Sequence, residues 1–301
     1  MSFETNLCPA VLFVNSKIPI ALNSIQRTLL ITLGGRADES QLADSLLQDR
    51  FAEQAKQCID FDFSTLRLSH DGLVALAVRA HTLDTWIREF IASHTRCQVI
   101  HLGCGLDSRV FRVDPSSDIP WWEVDFPEVI QLRRALFPER ASCRYRETSV
   151  LAQGWLDKID PQREVMVVAE GIFAYLSPGE VKQVLADIVS TFPAGEIVFD
   201  AYNRWGISFL NSLPSLRQAG VKLQFALDDP QQLVDRVPGL TLCEEQSGAP
   251  REQILRASPW MRWGYRLTQA FPKLRRMGQL LRYRFGDCAT ARGEFGSMFT
   301  K

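Results

Sequence analysis

The chain has 301 residues, of which 46% are hydrophobic and 23% are charged, and its formal net charge is −1. This is ordinary globular composition with ample material for a core, in one large domain or two small ones. No apolar stretch approaches the roughly 20 residues of a membrane span, so a transmembrane protein is excluded.

The N-terminus and the cysteines both favour an intracellular protein. Glu4 comes early, and no basic flank precedes the first apolar stretch, so the pattern does not predict a signal peptide. The seven cysteines are odd in number, scattered, and free of C-x-x-C pairs, which favours thiols in a reducing compartment. We therefore expect a cytoplasmic location.

Charge is distributed unevenly along the chain. Residues 251–301 hold 11 Lys and Arg against 3 Asp and Glu, whereas the first 250 residues carry a net negative charge. A basic tail is compatible with nucleic acid or an acidic substrate. However, its arginines alternate with Trp260, Trp263 and other apolar residues at helical spacing, which favours an amphipathic helix with a solvated basic face. We expect neither a nucleic-acid nor a membrane partner.

The first 95 residues predict a helical N-terminal cap. Residues 1–20 show no clear element and predict a loosely attached arm. Helical patterns follow over Ser24–Gly35, where a Gly-Gly pair ends the helix, and over Gln41–Gln57. The strongest pattern covers Asp71–Ser93, with apolar residues at i, i+3, i+4 and i+7 spacing, and this helix carries Arg79.

Beyond residue 96, strand and helix patterns alternate. The continuous apolar runs Val165–Ala169 and Ile197–Phe199 are typical of central parallel strands buried on both faces. The predicted strands are Val99–Gly103, Pro120–Phe126, Cys143–Val150, Val165–Glu170, Glu196–Tyr202, Leu240–Gln246 and Leu281–Phe285. The predicted helices are Ser108–Arg112, Pro127–Leu136, Leu151–Lys158 and Gly179–Phe192.

This alternation predicts an α/β fold. We expect a Rossmann-like, doubly wound sheet of about seven mostly parallel strands over residues 96–301, in one domain with the helical cap. Residues 204–235 are broken up by Ser, Pro, Gly and Asn after the fifth strand, and we interpret them as a lid.

The stretch that carries most information is Val99-Ile-His-Leu-Gly-Cys-Gly-Leu-Asp-Ser-Arg109. An apolar strand that breaks at Gly103 and Gly105 lets a ligand approach the backbone at the carboxyl end of the first strand. Asp125 follows Gly103 by 22 residues, at the tip of the next predicted strand, where an acid can reach a ribose. The pattern therefore predicts a nucleoside cofactor.

Two cofactors compete for this loop. A dinucleotide site requires a third glycine and a pyrophosphate on the helix N-terminus, but here Ser108 occupies that position and Asp107 precedes it. A carboxylate would repel a pyrophosphate and suits the cationic S-adenosylmethionine (SAM), which carries no phosphate. An NAD-dependent oxidoreductase is accordingly the weaker hypothesis.

Five segments in order resemble the leucine carboxyl methyltransferase family, nearer its small-molecule (polyketide-type) O-methyltransferase branch. They are Arg36-Ala-x-Glu-Ser40, the helix with Arg79, Leu102-Gly-Cys-Gly-Leu-Asp-Ser-Arg-x-x-Arg112, Glu123-Val-Asp-Phe-Pro127 and Ala169-Glu-Gly-Ile-Phe-Ala-Tyr-Leu176. The resemblance implies a SAM-dependent O-methyltransferase, acting without metal on a carboxylate or acidic hydroxyl of a small metabolite.

The resemblance also implies a cofactor site. Arg79 would hold the methionyl carboxylate, Asp125 the ribose hydroxyls, and Glu170 would lie beside the cofactor's ammonium. The full predicted cofactor-binding set is Arg79, Gly103, Gly105, Asp125, Phe126, Ser149, Val150 and Glu170. Ser149 stands where relatives commonly carry an Asp for the adenine amino group, so that contact is expected to be weaker.

For the substrate, the resemblance points to Tyr175 as the candidate catalytic residue. The predicted substrate-binding residues are Arg36, Arg109, Tyr175 and Tyr202. Two roles stay open for Arg109 and Arg112, namely binding an anionic substrate or bracing Asp107. Arg36 and Glu39 either close the cleft or pair with each other.

The histidines bear on the chemistry. None of the four falls in the Glu170–Tyr175 stretch, and His101 lies inside the first predicted strand as a core residue. An acceptor that is already ionised at neutral pH, such as a carboxylate, needs no base. The alternative is a protein of the same fold that binds SAM and a small molecule, and that either catalyses a non-methylating, cyclase-like reaction or acts only as a binder.

Overall fold

The computed structural model describes residues 17–20, 28–213, 216–217, 220–248, 250–269 and 271–286. Most of the predicted N-terminal arm, the start of the helix predicted at Ser24, and the end of the basic tail lie outside the described residues.

Seven strands form one sheet in the described part of the chain. They are β1 (Cys97–Leu102), β2 (Trp121–Asp125), β3 (Cys143–Glu147), β4 (Glu164–Ala169), β5 (Ala194–Ala201), β6 (Leu240–Ser247) and β7 (Gln279–Gly286). Their order is β3-β2-β1-β4-β5-β7-β6. The strands from β3 to β5 pair in parallel, whereas β7 runs antiparallel to both β5 and β6. The predicted seven-stranded, mostly parallel sheet is confirmed.

Helices cover the sheet and precede it. They are α1 (Thr28–Ser40), α2 (Arg50–Cys58), α3 (His70–Ser93), α4 (Arg109–Val113), α5 (Pro127–Leu136), α6 (Pro178–Thr191), α7 (Arg204–Ser212), α8 (Gln231–Arg236), α9 (Arg251–Ile254), α10 (Pro259–Gln269) and α11 (Pro272–Arg275). Short 3-10 turns span Phe63–Leu66 and Phe173–Tyr175. No helix in the described ranges is long and apolar enough to cross a membrane.

The core lies on both faces of the central strands, which explains their continuous apolar runs. On one face, Ile100 and Val167 pack in a cluster with Leu185 of α6. On the other face, Val99 and Met166 pack with Leu83 and other apolar residues of α3. Burial on both faces is what a parallel sheet between helical layers requires.

Three predicted helices are wrong in extent. The helix predicted over Ser24–Gly35 does not end at the Gly-Gly pair, because α1 continues through both glycines to Ser40. The helix predicted over Gln41–Gln57 begins only at Arg50, where Asp49 caps it by accepting the Ala52 amide at 2.9 Å. The preceding loop is held by Glu39, whose carboxylate accepts the amides of Leu46 (2.7 Å) and Leu47 (3.3 Å). These amides therefore have a partner other than a helical carbonyl.

The helix predicted over Leu151–Lys158 is a series of turns instead. Gly154 has a φ of 71°, a left-handed conformation that interrupts a helix. The Arg146 side chain donates to the carbonyls of Gly154 (2.8 Å) and Trp155 (3.1 Å), which replaces helical hydrogen bonding there. The strand before it, β3, ends at Glu147 rather than at Val150.

The basic region also differs from the single amphipathic helix that the spacing predicts. It forms three short helices, α9 to α11, and then enters the sheet as β7. In α10, Trp260 is 83% exposed and Trp263 is 60% exposed, whereas Tyr265 packs against Gly248. The helical periodicity predicts a buried apolar face that includes the tryptophans. The structure instead exposes both of them.

The segment predicted as a lid, 204–235, contains α7, an extended stretch and α8 within its described residues. Asn203 caps α7 by accepting the Gly206 amide at 2.9 Å. Ile207 packs with Ala174 and Leu223 in a small apolar cluster. The inner face of α7 thus packs against the end of β4 and β5.

We predict that α7 requires glycine at its third residue. A Cβ on Gly206 would lie 2.0 Å from the Met277 carbonyl oxygen, which is backbone and cannot move aside easily. Gly206→Ala should therefore lower the free energy of unfolding by about 1–3 kcal/mol in urea denaturation.

The matched control is Gly179→Ala in α6, where a Cβ would meet nothing within 4 Å. That variant should be neutral or more stable by about 0.4–1 kcal/mol. Equal stabilities of the two variants would contradict the close packing of α7.

Candidate cofactor and acceptor site

A cavity of about 600 Å³ opens at the carboxyl ends of β1, β4 and β5. Its lining includes the loop Gly103–Asp107 and apolar residues of α3, α7, α9 and α10. This is the edge of a parallel sheet at which ligands of doubly wound proteins bind.

The glycine loop has the conformation that the sequence predicts. Gly103 has a φ of 55° and Gly105 a φ of 49°, both in the left-handed region. A Cβ on Gly103 would lie 2.8 Å from the end of the Ile172 side chain, and one on Gly105 would lie 2.6 Å from the end of the Leu29 side chain. The left-handed φ therefore favours glycine at both positions.

Asp125 lies next to this loop, at the end of β2. Its carboxylate accepts the Gly105 amide at 2.8 Å and the Phe126 amide at 2.8 Å. Burial raises the pKa of this carboxyl, and the two amides oppose the shift. Asp125 therefore fixes the glycine loop.

The central feature of the site is a buried cluster of four arginines and five carboxylates, which we call the arginine–carboxylate cluster. Its members are Arg36, Arg79, Arg109, Arg112, Asp49, Asp84, Asp107, Glu170 and Asp200. Their side chains are no more than 5% exposed, apart from Arg79 at 21%.

Glu170 contacts three of these arginines. Its side chain is 2% exposed and lies 3.3 Å from Arg36 and 3.0 Å from Arg79, and its second oxygen accepts from Arg109. Burial alone would raise the pKa of Glu170, but the charges of Arg79, Arg109 and Arg36 hold it well below the usual range. Glu170 is thus ionised and fully paired in this structure.

Asp107 is paired in the same way. It contacts Arg112 at 2.8 Å, Arg36 at 3.0 Å and Arg109 at 3.4 Å. Burial opposes ionisation, yet Arg109 and the other two arginines hold the pKa of Asp107 well below its usual range. Of the two roles open for Arg109 and Arg112, the structure shows the bracing of Asp107.

Arg109 is 0% exposed and also donates to Asp84 at 2.5 Å. Arg109 does not line the cavity, and its described ionic partners are Asp84, Asp107 and Glu170. Its predicted contact with a substrate stays a prediction. Arg36 and Glu39 do not pair with each other in the described contacts. Arg36 joins the cluster, whereas Glu39 holds the loop before α2 and Arg256 of the C-terminal region.

Two tyrosines lie between the cluster and the apolar wall of the cavity. Tyr175 donates to the Thr28 hydroxyl at 3.4 Å, and burial raises its pKa. Tyr202 donates to Asp200 at 2.9 Å and accepts from Arg79 at 3.2 Å. Burial and the Asp200 charge raise the pKa of Tyr202, so both phenols stay protonated near neutral pH.

The apolar wall itself comes from distant parts of the chain. Its main side chains are Leu68, Val74, Val78, Leu210, Leu213, Leu216, Leu223, Ile254, Ala257 and Met261. Among the described residues that line the whole cavity, Arg36 and Arg79 are the arginines, and both are paired with carboxylates. The wall therefore favours an acceptor with a largely apolar body.

Four of the predicted cofactor-binding residues are not among the described residues that line the cavity. They are Asp125, Phe126, Ser149 and Val150, and they follow the ends of β2 and β3. Phe126 is 45% exposed, and the Ser149 hydroxyl accepts the Leu151 amide at 3.2 Å. The strand order thus places this group beside the glycine loop, on the side away from the tyrosines.

Asp200 was missed by the sequence analysis, although a signal for it exists. It comes directly after the buried run Ile197–Phe199, just as Glu170 comes after the run of β4. The predicted strand extended to Tyr202, so Asp200 was treated as a strand residue and not as a residue of the site. His101 is buried in β1 as expected, and burial together with the Arg109 charge lowers its pKa well below the usual value.

The strand order with an antiparallel β7, and the glycine loop at the end of β1, are those of the class I SAM-dependent methyltransferase fold. Among solved structures, a DUF574 family protein from Streptomyces avermitilis MA-4680 superposes with a TM-score of 0.54 at 10% identity, covering 83% of this chain and 99% of that one. A family model for leucine carboxyl methyltransferase matches residues 30–189.

Relatives agree with this match. The tetracenomycin polyketide synthesis O-methyltransferase TcmP of Streptomyces glaucescens is 36% identical over 266 residues, which is 88% of this chain and 98% of TcmP. The SAM-dependent methyltransferase dpfgK of Gibberella zeae is 31% identical over 73% of this chain and 81% of its own length. The chain belongs to the leucine carboxyl methyltransferase family.

We predict that Glu170→Gln destabilises the fold strongly. The change removes the charge that faces three arginines, one of which is completely buried, and breaking a buried pair from one side costs about 3–5 kcal/mol. The measurement is the free energy of unfolding in urea at pH 7.

The control is Glu147→Gln, which breaks the Arg134–Glu147 pair, whose side chains are 50% and 40% exposed. An exposed pair contributes about 0–1 kcal/mol. Similar losses in the two variants would mean that the cluster does not hold the site together.

Proposed function

We propose that this protein is a SAM-dependent O-methyltransferase that methylates a carboxylate or an acidic hydroxyl of a small metabolite. The observation that carries the proposal is one cavity with two unlike sides. Its lining combines the glycine loop and five members of the arginine–carboxylate cluster with an apolar wall and two tyrosines. The five members are Arg36, Arg79, Asp107, Glu170 and Asp200. A polar cofactor and an apolar acceptor can therefore meet at the boundary between the two sides.

The charge of the cluster supports SAM over a dinucleotide. When all nine groups are ionised, five carboxylates exceed four guanidinium groups by one negative charge. SAM carries a sulfonium, an ammonium and a carboxylate, so its net positive charge balances the cluster. A pyrophosphate would add negative charge to a buried site that already has an excess.

The residues present fit this cofactor. Arg79 would hold its carboxylate, Glu170 its ammonium and Asp125 its ribose hydroxyls, while Gly103 and Gly105 admit it to the backbone. Phe126, Ser149 and Val150 would flank the adenosine. When bound, SAM supplies a methyl group on a positively charged sulfur, and the protein supplies alignment and exclusion of water.

The acceptor would lie against the apolar wall, with Tyr175 and Tyr202 at its reactive end. A carboxylate is ionised at neutral pH, and an acidic hydroxyl is close to it, so neither requires a strong base. This agrees with His101, which is buried and neutral within β1. The name of the relative TcmP supports transfer to oxygen. We also propose that the helical layer and the sheet form one domain.

The proposal is tested by mass spectrometry after incubation with methyl-labelled SAM and a small-molecule extract of the source organism. We expect one labelled product. A label that mild alkali removes is a methyl ester, and one that resists alkali is a methyl ether. Bound SAM without any labelled product would favour the non-methylating alternative and overturn the proposal.

A second prediction concerns Tyr175. Tyr175 lines the cavity, and we expect its hydroxyl to contact the acceptor. Tyr175→Phe should therefore lower the turnover number by about tenfold or more, while the Kd for SAM stays unchanged. Turnover is measured from the rate of labelled product and Kd by calorimetry. A variant with full turnover would show that Tyr175 only packs against the wall.

A further inference from the structure

Asp200 contacts groups on both sides of the cavity. Its side chain is 4% exposed at the carboxyl end of β5. One oxygen accepts the Gly171 amide at 2.6 Å, and the other accepts from Arg79 at 3.2 Å and from the Tyr202 hydroxyl at 2.9 Å. It therefore joins an arginine of the cofactor side to a tyrosine of the acceptor side.

The nitrogens of Arg79 are divided between two carboxylates. Nε and Nη2 both lie 3.0 Å from the same oxygen of Glu170. Nη1 donates to Asp200 and to the Tyr202 hydroxyl, each at 3.2 Å. The Nε–Nη2 edge is one of the edges at which a guanidinium binds a carboxylate through two parallel hydrogen bonds.

We propose that Asp200 is a positioning residue for Arg79. Asp200 and Tyr202 hold Nη1 of Arg79 by hydrogen bonds. The Nε–Nη2 edge of Arg79 therefore stays directed at the cavity when a ligand carboxylate takes the place of Glu170 at that edge. Tyr202, which contacts both Arg79 and Asp200, links this arrangement to the acceptor side. This inference rests on the proposed function, in which Arg79 binds the carboxylate of SAM.

A merely structural role for Asp200 makes a different prediction. If Asp200 only stabilised the end of β5, its loss would lower the affinity for every ligand of the cavity alike. If it positions Arg79, its loss lowers the affinity only for ligands that carry the amino-acid carboxylate. The two roles are separated by comparing ligands with and without that group.

The experiment measures the Kd of two ligands by calorimetry. S-Adenosylhomocysteine carries the amino-acid carboxylate, whereas 5′-methylthioadenosine keeps the adenosine and the thioether but lacks the amino-acid group. Asp200→Asn should raise the Kd of S-adenosylhomocysteine by about tenfold or more and that of methylthioadenosine by less than about twofold. The amide nitrogen would face Arg79 when the amide oxygen keeps the Gly171 contact.

Asp228→Asn is the matched control, because Asp228 also pairs with an arginine, Arg204, but at an exposed position. It should leave both affinities unchanged. Tyr202→Phe removes one hydrogen-bond partner of Arg79 Nη1 and keeps the charge of Asp200. It should therefore raise the Kd of S-adenosylhomocysteine by about threefold and leave that of methylthioadenosine unchanged. This variant tests the proposal even where Asp200→Asn fails to fold.

The outcomes separate the inference from the proposed function. Equal weakening of both ligands in Asp200→Asn, or no weakening of S-adenosylhomocysteine in either variant, overturns the positioning role. Arg79→Ala should reduce the preference for S-adenosylhomocysteine over methylthioadenosine by about tenfold or more, and the part that remains is the contact of Glu170 with the ammonium. If Arg79→Ala leaves that preference unchanged, or the wild-type protein binds neither ligand, the proposed cofactor site itself is wrong.

Discussion

Buried charge is the constraint on which this structure depends. A guanidinium or carboxylate loses its hydration on burial, and only close pairing with opposite charges compensates for that loss. Four arginines and five carboxylates meet this condition together, because each arginine contacts at least two carboxylates. They come from α1, the N-cap of α2, α3, α4, the glycine loop, and the ends of β4 and β5, so one network fixes these elements relative to one another. Stability and the shape of the site therefore have the same physical origin.

The strands were predictable from the sequence because burial on both faces leaves a strong local signal. The runs in β4 and β5, and the break after β1, each occupy a few consecutive residues. The glycine positions and Asp125 followed from the same local pattern. Family membership, expected from five short segments, is confirmed by the family model and by the relatives. The helix ends were less predictable, since Glu39 and Arg146 replace helical hydrogen bonds from a distance.

The pairing of the charges could not be predicted in this way. Arg79 meets Glu170 across 91 positions of the chain, and Arg36 meets the same residue across 134. Nothing local distinguishes an arginine that faces a ligand from one that is buried, as Arg109 is. Asp200 illustrates the same limit, since its role is defined by Arg79 and Tyr202 and not by its neighbours in sequence.

The position of β7 has a consequence for how the protein is made. Among the strands of the described residues this one comes last in the chain, yet it lies inside the sheet, between β5 and β6. During synthesis, β6 has no strand to pair with until β7 has left the ribosome, and the edge of β5 stays open until then. Gln279 and Leu280 of β7 also line the cavity. The nascent chain can thus form its parallel half early, but the ligand-binding cavity is completed only after synthesis has passed β7.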